Sequence, residues 1–320
     1  MTDTPKRFLL FFIDGLGVGP DDPEINPLAT GLFPSLSLTE ARTPEAAVGP
    51  PGLFGGLDAS MGVKGLPQSA TGQTAILTGV NASVALGHHM SGFPGPTLRK
   101  ILLEHSILKR LHEAGASAEF ANAFGPRFFE RPEAERRMSA TTLATLASGR
   151  PFRTWKDLLA GRAVVHDLTH WRMREWGYDL PLRTPEEAGE ILARQSAPDG
   201  AARSFTLFEY FETDRAGHAR DRERALRCLS DLDRALQRVL STVDLSTTTV
   251  AVVSDHGNLE DERVGTHTLN PALFAAWGAG ASGPRLERLT DVAGFVFRAL
   301  GLPAPHAADP PANETGAPDS

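Results

Sequence analysis

Apolar residues in this chain fall into runs of two periods. Phe8 to Ile13 is continuously apolar and stops sharply at Asp14-Gly15, which predicts a buried parallel strand. Ala118 to Phe124, Ser204 to Tyr210, Thr248 to Val253 and Ala272 to Trp277 read as further strands. Between them the spacing turns helical. Ser69 to Gly79 is a turn feeding a short helix, and Leu98 to Ala114 keeps helical apolar spacing up to Gly115. Ala219 to Leu240 is a long amphipathic helix with charge pairs on its outer face. Asp291 to Leu300 is a last helix, stopped by Gly301 and Pro303. Residues 20–60 hold many Pro and Gly without periodicity and predict a long loop. Strands alternating with helices predict an α/β fold, a mostly parallel sheet sandwiched by helices.

Composition refines this picture. At about 150 residues per domain, 320 residues make two units, or one large α/β domain with an insertion. Residues 127–183 hold ten Arg and one Lys against seven acids, and three of the four tryptophans (Trp155, Trp171, Trp176) lie there. This shift predicts a small inserted cap at 126–195, dividing the core into 1–125 and 196–302. The proline-rich tail at 303–320 is expected to be disordered. With 32 Lys and Arg against 39 Asp and Glu, the net charge is −7, which argues against a non-specific nucleic-acid binder. A single cysteine, Cys228, excludes an intramolecular disulfide and a thiolate-rich metal site, and it reads as inert helix filler. The apolar run Phe8–Ile13 is too short to span a membrane. Lys6-Arg7 before it imitates a signal peptide, but the run ends in Asp14 with no small-residue cleavage site. The chain reads as cytosolic.

Four segments carry residues suited to chemistry, each just after a strand or in a strand-to-helix turn. Such ends converge on one edge of a parallel sheet. Asp14 follows the first strand; alone it could simply cap a turn. Ser69, in Ser-Ala-Thr-Gly-Gln-Thr-Ala, is either a plain helix cap or a nucleophile activated by helix N–H groups. Asp214 and His218 are four apart, so one helical turn presents both to a single metal; the ordinary alternative is a helix-start Asp and a surface His. Asp255-His256 follows the strand ending at Val253, and His267 comes eleven residues later. Mixed oxygen and nitrogen donors suit zinc or manganese, and seven donors are too many for one tetrahedral ion. Two ions about 3.5–4 Å apart clamp the two oxygens of a phosphoryl displacement.

These segments resemble the alkaline phosphatase superfamily, in the branch of cofactor-independent phosphoglycerate mutase and phosphopentomutase. The resemblance rests on Asp255-His-Gly-Asn-Leu-Glu, Thr266-His-Thr-Leu-Asn-Pro, Asp214-x-x-x-His218 and the strand-Asp14-Gly start. It also rests on the Ser69 segment, since such families place a Ser or Thr nucleophile ten residues before a glycine, here Gly79. The resemblance implies an alkaline phosphatase-like core and two divalent ions, Mn2+ or Zn2+. Asp14, Ser69, Asp255 and His256 would surround one ion, and Asp214, His218 and His267 the other. Ser69 would form a phosphoseryl intermediate, with Thr71 as the fallback nucleophile. The implied function is a phosphatase acting on a small phosphate monoester. The alternatives are a phosphomutase, a phosphodiesterase and, more distantly, a non-catalytic metal or phospholigand sensor. Lys64, Asn81, His88 and Arg127, with the arginine-rich insertion, could supply phosphate clamps; the ordinary alternative for each of the four is a surface or loop residue. The adjacent His88 and His89 are expected to point apart.

Overall fold

The computed structural model describes residues 4, 6–131 and 137–304; the expected tail lies outside them from residue 305 onward. The eight strands are β1 (Lys6–Ile13), β2 (Leu53–Leu57), β3 (Ser117–Phe120), β4 (Ala123–Phe124), β5 (Arg153–Thr154), β6 (Arg203–Tyr210), β7 (Thr248–Ser254) and β8 (Ala272–Gly278). Six of them form one sheet in the order β2-β8-β7-β1-β6-β3. Neighbours from β7 to β3 run parallel, and β8 is antiparallel to both β7 and β2.

The unbroken apolar run of β1 follows from its central place. Phe8, Leu10 and Phe12 enter the core layer on one face, and Leu9, Phe11 and Ile13 enter the layer on the other. Successive side chains alternate across a strand, so only a strand covered on both faces reads as continuous. Helices Ser69–Thr78 and Asp291–Ala299 fill the first layer, and the 21-residue helix Arg222–Thr242 lies in the second.

Four expectations shift, each for a local reason. The helix expected over 98–114 is two helices, Pro96–His105 and Ile107–Glu113, because Ser106 Oγ accepts from Lys109 N at 3.2 Å and starts a new helix. The long helix begins at Arg222, not Ala219: Arg220 is left-handed and Asp221 caps Arg224 N at 3.0 Å. The strand expected over 118–124 splits after Phe120, and Ala123–Phe124 pairs with β5 instead of the main sheet. The loop expected over 20–60 contains β2, an edge strand whose two glycines hide it from propensity.

Within 126–195, helix Ala140–Ala147 packs into the first core layer and Pro185–Gln195 against Arg222–Thr242 in the second. Between them, Leu158, Ala163, Val165, Met173 and Leu180 form a small core of their own. Among the described residues, no helix is long and apolar enough to cross a membrane.

Candidate metal centre

Asp14 directly follows β1, Asp214 lies on helix Glu212–Ala219 after β6, and Asp255-His256 follows β7. Because β6, β1 and β7 are adjacent and parallel, their C-terminal ends bring these groups to one edge. His267 arrives on the β7–β8 loop, and Ser69 opens helix Ser69–Thr78. The approach is close. Gly15 has φ +72, and a Cβ there would lie 2.8 Å from Asp214 Oδ1, so both the conformation and the space demand glycine. The group that comes near Gly15 is thus a side chain of the site itself.

Three imidazoles are held in one tautomer. The Nδ1 atoms of His218 and His267 lie 3.0 and 2.7 Å from the carbonyl oxygens of Gly265 and Pro67. His256 Nδ1 is 3.4 Å from Gly257 O. A carbonyl oxygen only accepts, so each Nδ1 carries the proton and each Nε2 turns a lone pair inward. The Nε2 atoms of His218 and His267 stand 3.1 Å apart, with the Asp214 carboxylate 3.4 and 3.5 Å from them. His256 Nε2 lies 3.0 Å from Ser69 Oγ, 3.2 Å from Asp14 Oδ1 and 3.6 Å from Asp255 Oδ2.

Lone pairs facing one another at such distances need a positive charge between them. Donors at about 2.0–2.1 Å from one tetrahedral ion lie about 3.3 Å apart, which is the spacing seen. Donor atoms of Asp214, His218 and His267 form one cluster within 4.8 Å, and those of Asp14, Asp214 and His256 another, so Asp214 is common to both. Asp14 Oδ1 is buried without a hydrogen-bond partner, as expected of an atom reserved for a cation.

Titration follows the same logic. Burial, then the charge of Asp255, pushes Asp14 up to about 7, and burial pushes Asp255 up to about 6. His256 is driven down by burial but more strongly up by Asp255 and Asp14, to about 10. Asp214, raised by burial, is nonetheless held well below the carboxylate range by His218 and His267. Without another cation the cluster takes up protons.

Residues beyond the expected set hold this geometry. Gln73 Nε2 donates to Asp14 Oδ2 at 3.2 Å and to Asp255 Oδ2 at 3.3 Å. Asn258 Nδ2 donates to Asp214 Oδ1 at 2.7 Å. Glu260 is fully buried and accepts from Gly17 N, Asn258 N, Thr268 Oγ1 and Asn270 Nδ2, so it ties together the loop that carries His267. Gln73 sits four residues after Ser69, on the same helix face, and that spacing is the sequence signal for it.

The weaker candidates stand elsewhere. Thr71 is fully buried and donates to Gln68 O at 3.0 Å. Asn81 caps helix Ala82–Leu86 and donates to Met61 O at 2.9 Å. Lys64 is exposed. His88 Nδ1 meets Leu86 O, while His89 points instead to Ser83 and Val63. Arg127 lies over the Tyr178 ring. Arginines of the insertion are engaged with protein groups: Arg150 and Arg153 with Glu119, Arg162 with Asp157, and Arg172 with Glu175. None of these lines the cavity of about 900 Å³ over Ser69, although Arg137 lies 5.9 Å over the ring of Phe93, which does. Cys228 is fully buried, and burial pushes its thiol up to about 12.

A family model described as the metalloenzyme superfamily matches residues 192–304, the segment carrying five of the seven candidate donors. The similarity to that superfamily covers about a third of the chain. The 2,3-bisphosphoglycerate-independent phosphoglycerate mutase of Wolinella succinogenes is 32% identical over 113 residues, 33% of this chain and 23% of that protein. The protein of the same name from Cereibacter sphaeroides is 30% identical over 134 residues, 36% of this chain and 26% of its own. The matched stretch spans about a quarter of the length of these relatives. Among solved structures, Thermus thermophilus alkaline phosphatase superposes with a TM-score of 0.55 at 14% identity, over 97% of this chain and 94% of that one. Alkaline phosphatase from the Antarctic bacterium TAB5 gives 0.52 at 14% identity, over 93% and 99%. The chain thus has an alkaline phosphatase-like fold.

Proposed function

We propose that this protein is a two-metal phosphatase that hydrolyses a small phosphate monoester through Ser69. The observation that carries the reading is the position of Ser69 Oγ, 3.0 Å from His256 Nε2 and beside two donor clusters that share Asp214. Asp214, His218 and His267 would hold one divalent ion; Asp14, Ser69, Asp255 and His256 the other, manganese or zinc. Bound ions supply positive charge that lowers the Ser69 hydroxyl pKa and offsets charge on the phosphoryl oxygens. Ser69 also stands at a helix start, whose partial positive charge favours its alkoxide. Its Oγ attacks phosphorus, the bond from phosphorus to the alcohol oxygen breaks, and water then cleaves the phosphoseryl ester. Gln73 and Asn258 orient the carboxylates throughout. The segment between helices Ala140–Ala147 and Pro185–Gln195 serves as the cap, since Met173 and Trp176 line the cavity.

A phosphomutase is the second reading, favoured by the names of the curated relatives. The test is turnover of an aryl phosphate monoester and its diester by metal-stripped protein reloaded with manganese, zinc or magnesium, beside Ser69→Ala. Metal-dependent monoester cleavage that Ser69→Ala abolishes while still binding metal is the expected result. Preference for the diester makes the protein a phosphodiesterase. An isomerised phosphoglycerate without free phosphate makes it a mutase. Activity that survives chelation, or survives in Ser69→Ala, refutes the mechanism.

A further inference from the structure

The cavity over Ser69 has two unlike halves. One holds Asp14, Ser69, Asp214, His218 and His267. The other is walled by Phe93, Phe120, Phe124, Trp176 and Phe211. All but Phe93, which is half-exposed, pack against other rings. Phe124 packs 4.5 Å from Phe128 and 4.8 Å from Phe152, centroid to centroid. The His166 ring lies between Phe211 at 4.1 Å and Trp176 at 5.2 Å, nearly parallel to both, and its Nε2 is 3.3 Å from the buried Glu212 carboxylate. The result is a rigid, flat-sided slot that needs no reordering to receive a planar group.

Charge in this half is sparse. Among the described residues that line the cavity, Arg215 is the one Lys or Arg. It is already engaged, 5.2 Å above the Trp176 ring and 3.7 Å from Glu212. Glu209 adds a carboxyl group to the same lining. Among the described residues, a second anionic group on a ligand would compete with Glu212 for Arg215, beside the Glu209 carboxyl group.

We propose that the site takes phosphate monoesters of uncharged, ring-bearing alcohols, the phosphoryl group at Ser69 and the ring in the aromatic slot, and disfavours phosphorylated sugar acids. This rests on the monoester reading of Ser69. A neutral ring offers apolar area to five aromatic walls, whereas a sugar acid offers them less and brings a carboxylate that must compete with Glu212 for Arg215.

Binding can be measured apart from turnover. Calorimetric titration of the manganese-loaded full chain with methylphosphonate, benzylphosphonate and 2-carboxyethylphosphonate compares the same head group with three tails. Benzylphosphonate should bind at least tenfold tighter than methylphosphonate, and 2-carboxyethylphosphonate no tighter than methylphosphonate. Phe124→Ala should narrow the benzyl-to-methyl ratio at least threefold; if that variant does not fold, Phe124→Leu keeps most of the volume and removes the ring. Equal affinities, or tightest binding of the carboxyethyl compound, overturns the proposal. Benzyl preference without monoester turnover refutes the hydrolase reading alone, and turnover without benzyl preference refutes the slot alone.

Discussion

Replacing Asp14 by Asn should stabilise the metal-free protein and weaken the metal-loaded one. Asp14 is buried, its Oδ1 has no hydrogen-bond partner, and burial with Asp255 raises it from 3.8 to about 7. An acid raised in the fold contributes stability while protonated and loses it as pH rises from its unfolded to its folded value. At pH 8 that loss is complete and amounts to about 4 kcal/mol, at 1.36 kcal/mol per tenfold step between 3.8 and about 7. Asp255 and His256 rearrange their protons and absorb part of it, leaving about 2 kcal/mol. With the Asp14 charge gone, His256 loses one of the groups that raise it and can release its proton; the Asn Nδ2 then donates to the freed Nε2, which lies 3.2 Å from Asp14 Oδ1 in the parent, while its Oδ1 accepts from Gln73. Thermal unfolding at pH 8 in chelator should place Asp14→Asn roughly 4 °C above the parent, at about 2 °C per kcal/mol for a chain of this size. At pH 5 the gap should shrink, since Asp14 then holds its proton. Saturating metal reverses the order, because an ion at 100 times its Kd adds about 2.7 kcal/mol to the parent and less to a variant short of a donor. Asp14→Asn melting below the parent in chelator at pH 8, or gaining as much from metal, would refute the assignment of this atom to a cation.

Glu209 is buried and accepts from Thr141 Oγ1, and burial raises it from 4.5 to about 7. Stability gained from its proton is lost as pH rises through 7, so Glu209→Gln should gain on the parent by up to about 3 kcal/mol between pH 5 and 8, read from melting curves at both. Gly72→Ala places a Cβ 2.8 Å from the Asp255 carbonyl oxygen; it should cost about 1–3 kcal/mol in urea unfolding and weaken the ion beside Asp255 in calorimetric titration. Glu260→Ala strips four donors of their buried acceptor and should cost about 3–5 kcal/mol in urea unfolding. Ser69→Ala should keep metal binding by calorimetry and lose turnover.

The sheet was legible because its central strands are covered on both faces and so are written as unbroken apolar runs. Asp14, Asp214 and Asp255 could be placed on one edge for the same reason, each standing at or shortly after the end of such a run. What did not show was set by contacts far apart in sequence. Gln73 looks like any helix polar residue until Asp14 and Asp255 approach it. Glu260 resembles a loop acid, yet it is the acceptor for Gly17 from the other end of the chain. The arginines of the insertion suggested anion clamps by composition, but each local carboxylate or ring claimed one, and composition carries no information on partners. Short strands and helix breaks were lost to glycine and to Ser106, whose capping role is read only from its hydrogen bond.

The place of β1 in the middle of the sheet has a consequence for how the chain is made. Arg7 pairs with Ser204 on one side and Thr248 on the other, so the neighbours of the first strand are encoded at least 197 residues later. At roughly 5–20 residues per second, that stretch takes on the order of 10–40 s to synthesise. Throughout it Phe8–Ile13, an apolar segment with no charge, has neither edge satisfied, the circumstance in which strands pair with the wrong partner. The first strand therefore takes its place only once β6 and β7 have emerged, and the candidate donors at its end meet only after that long-range pairing is complete.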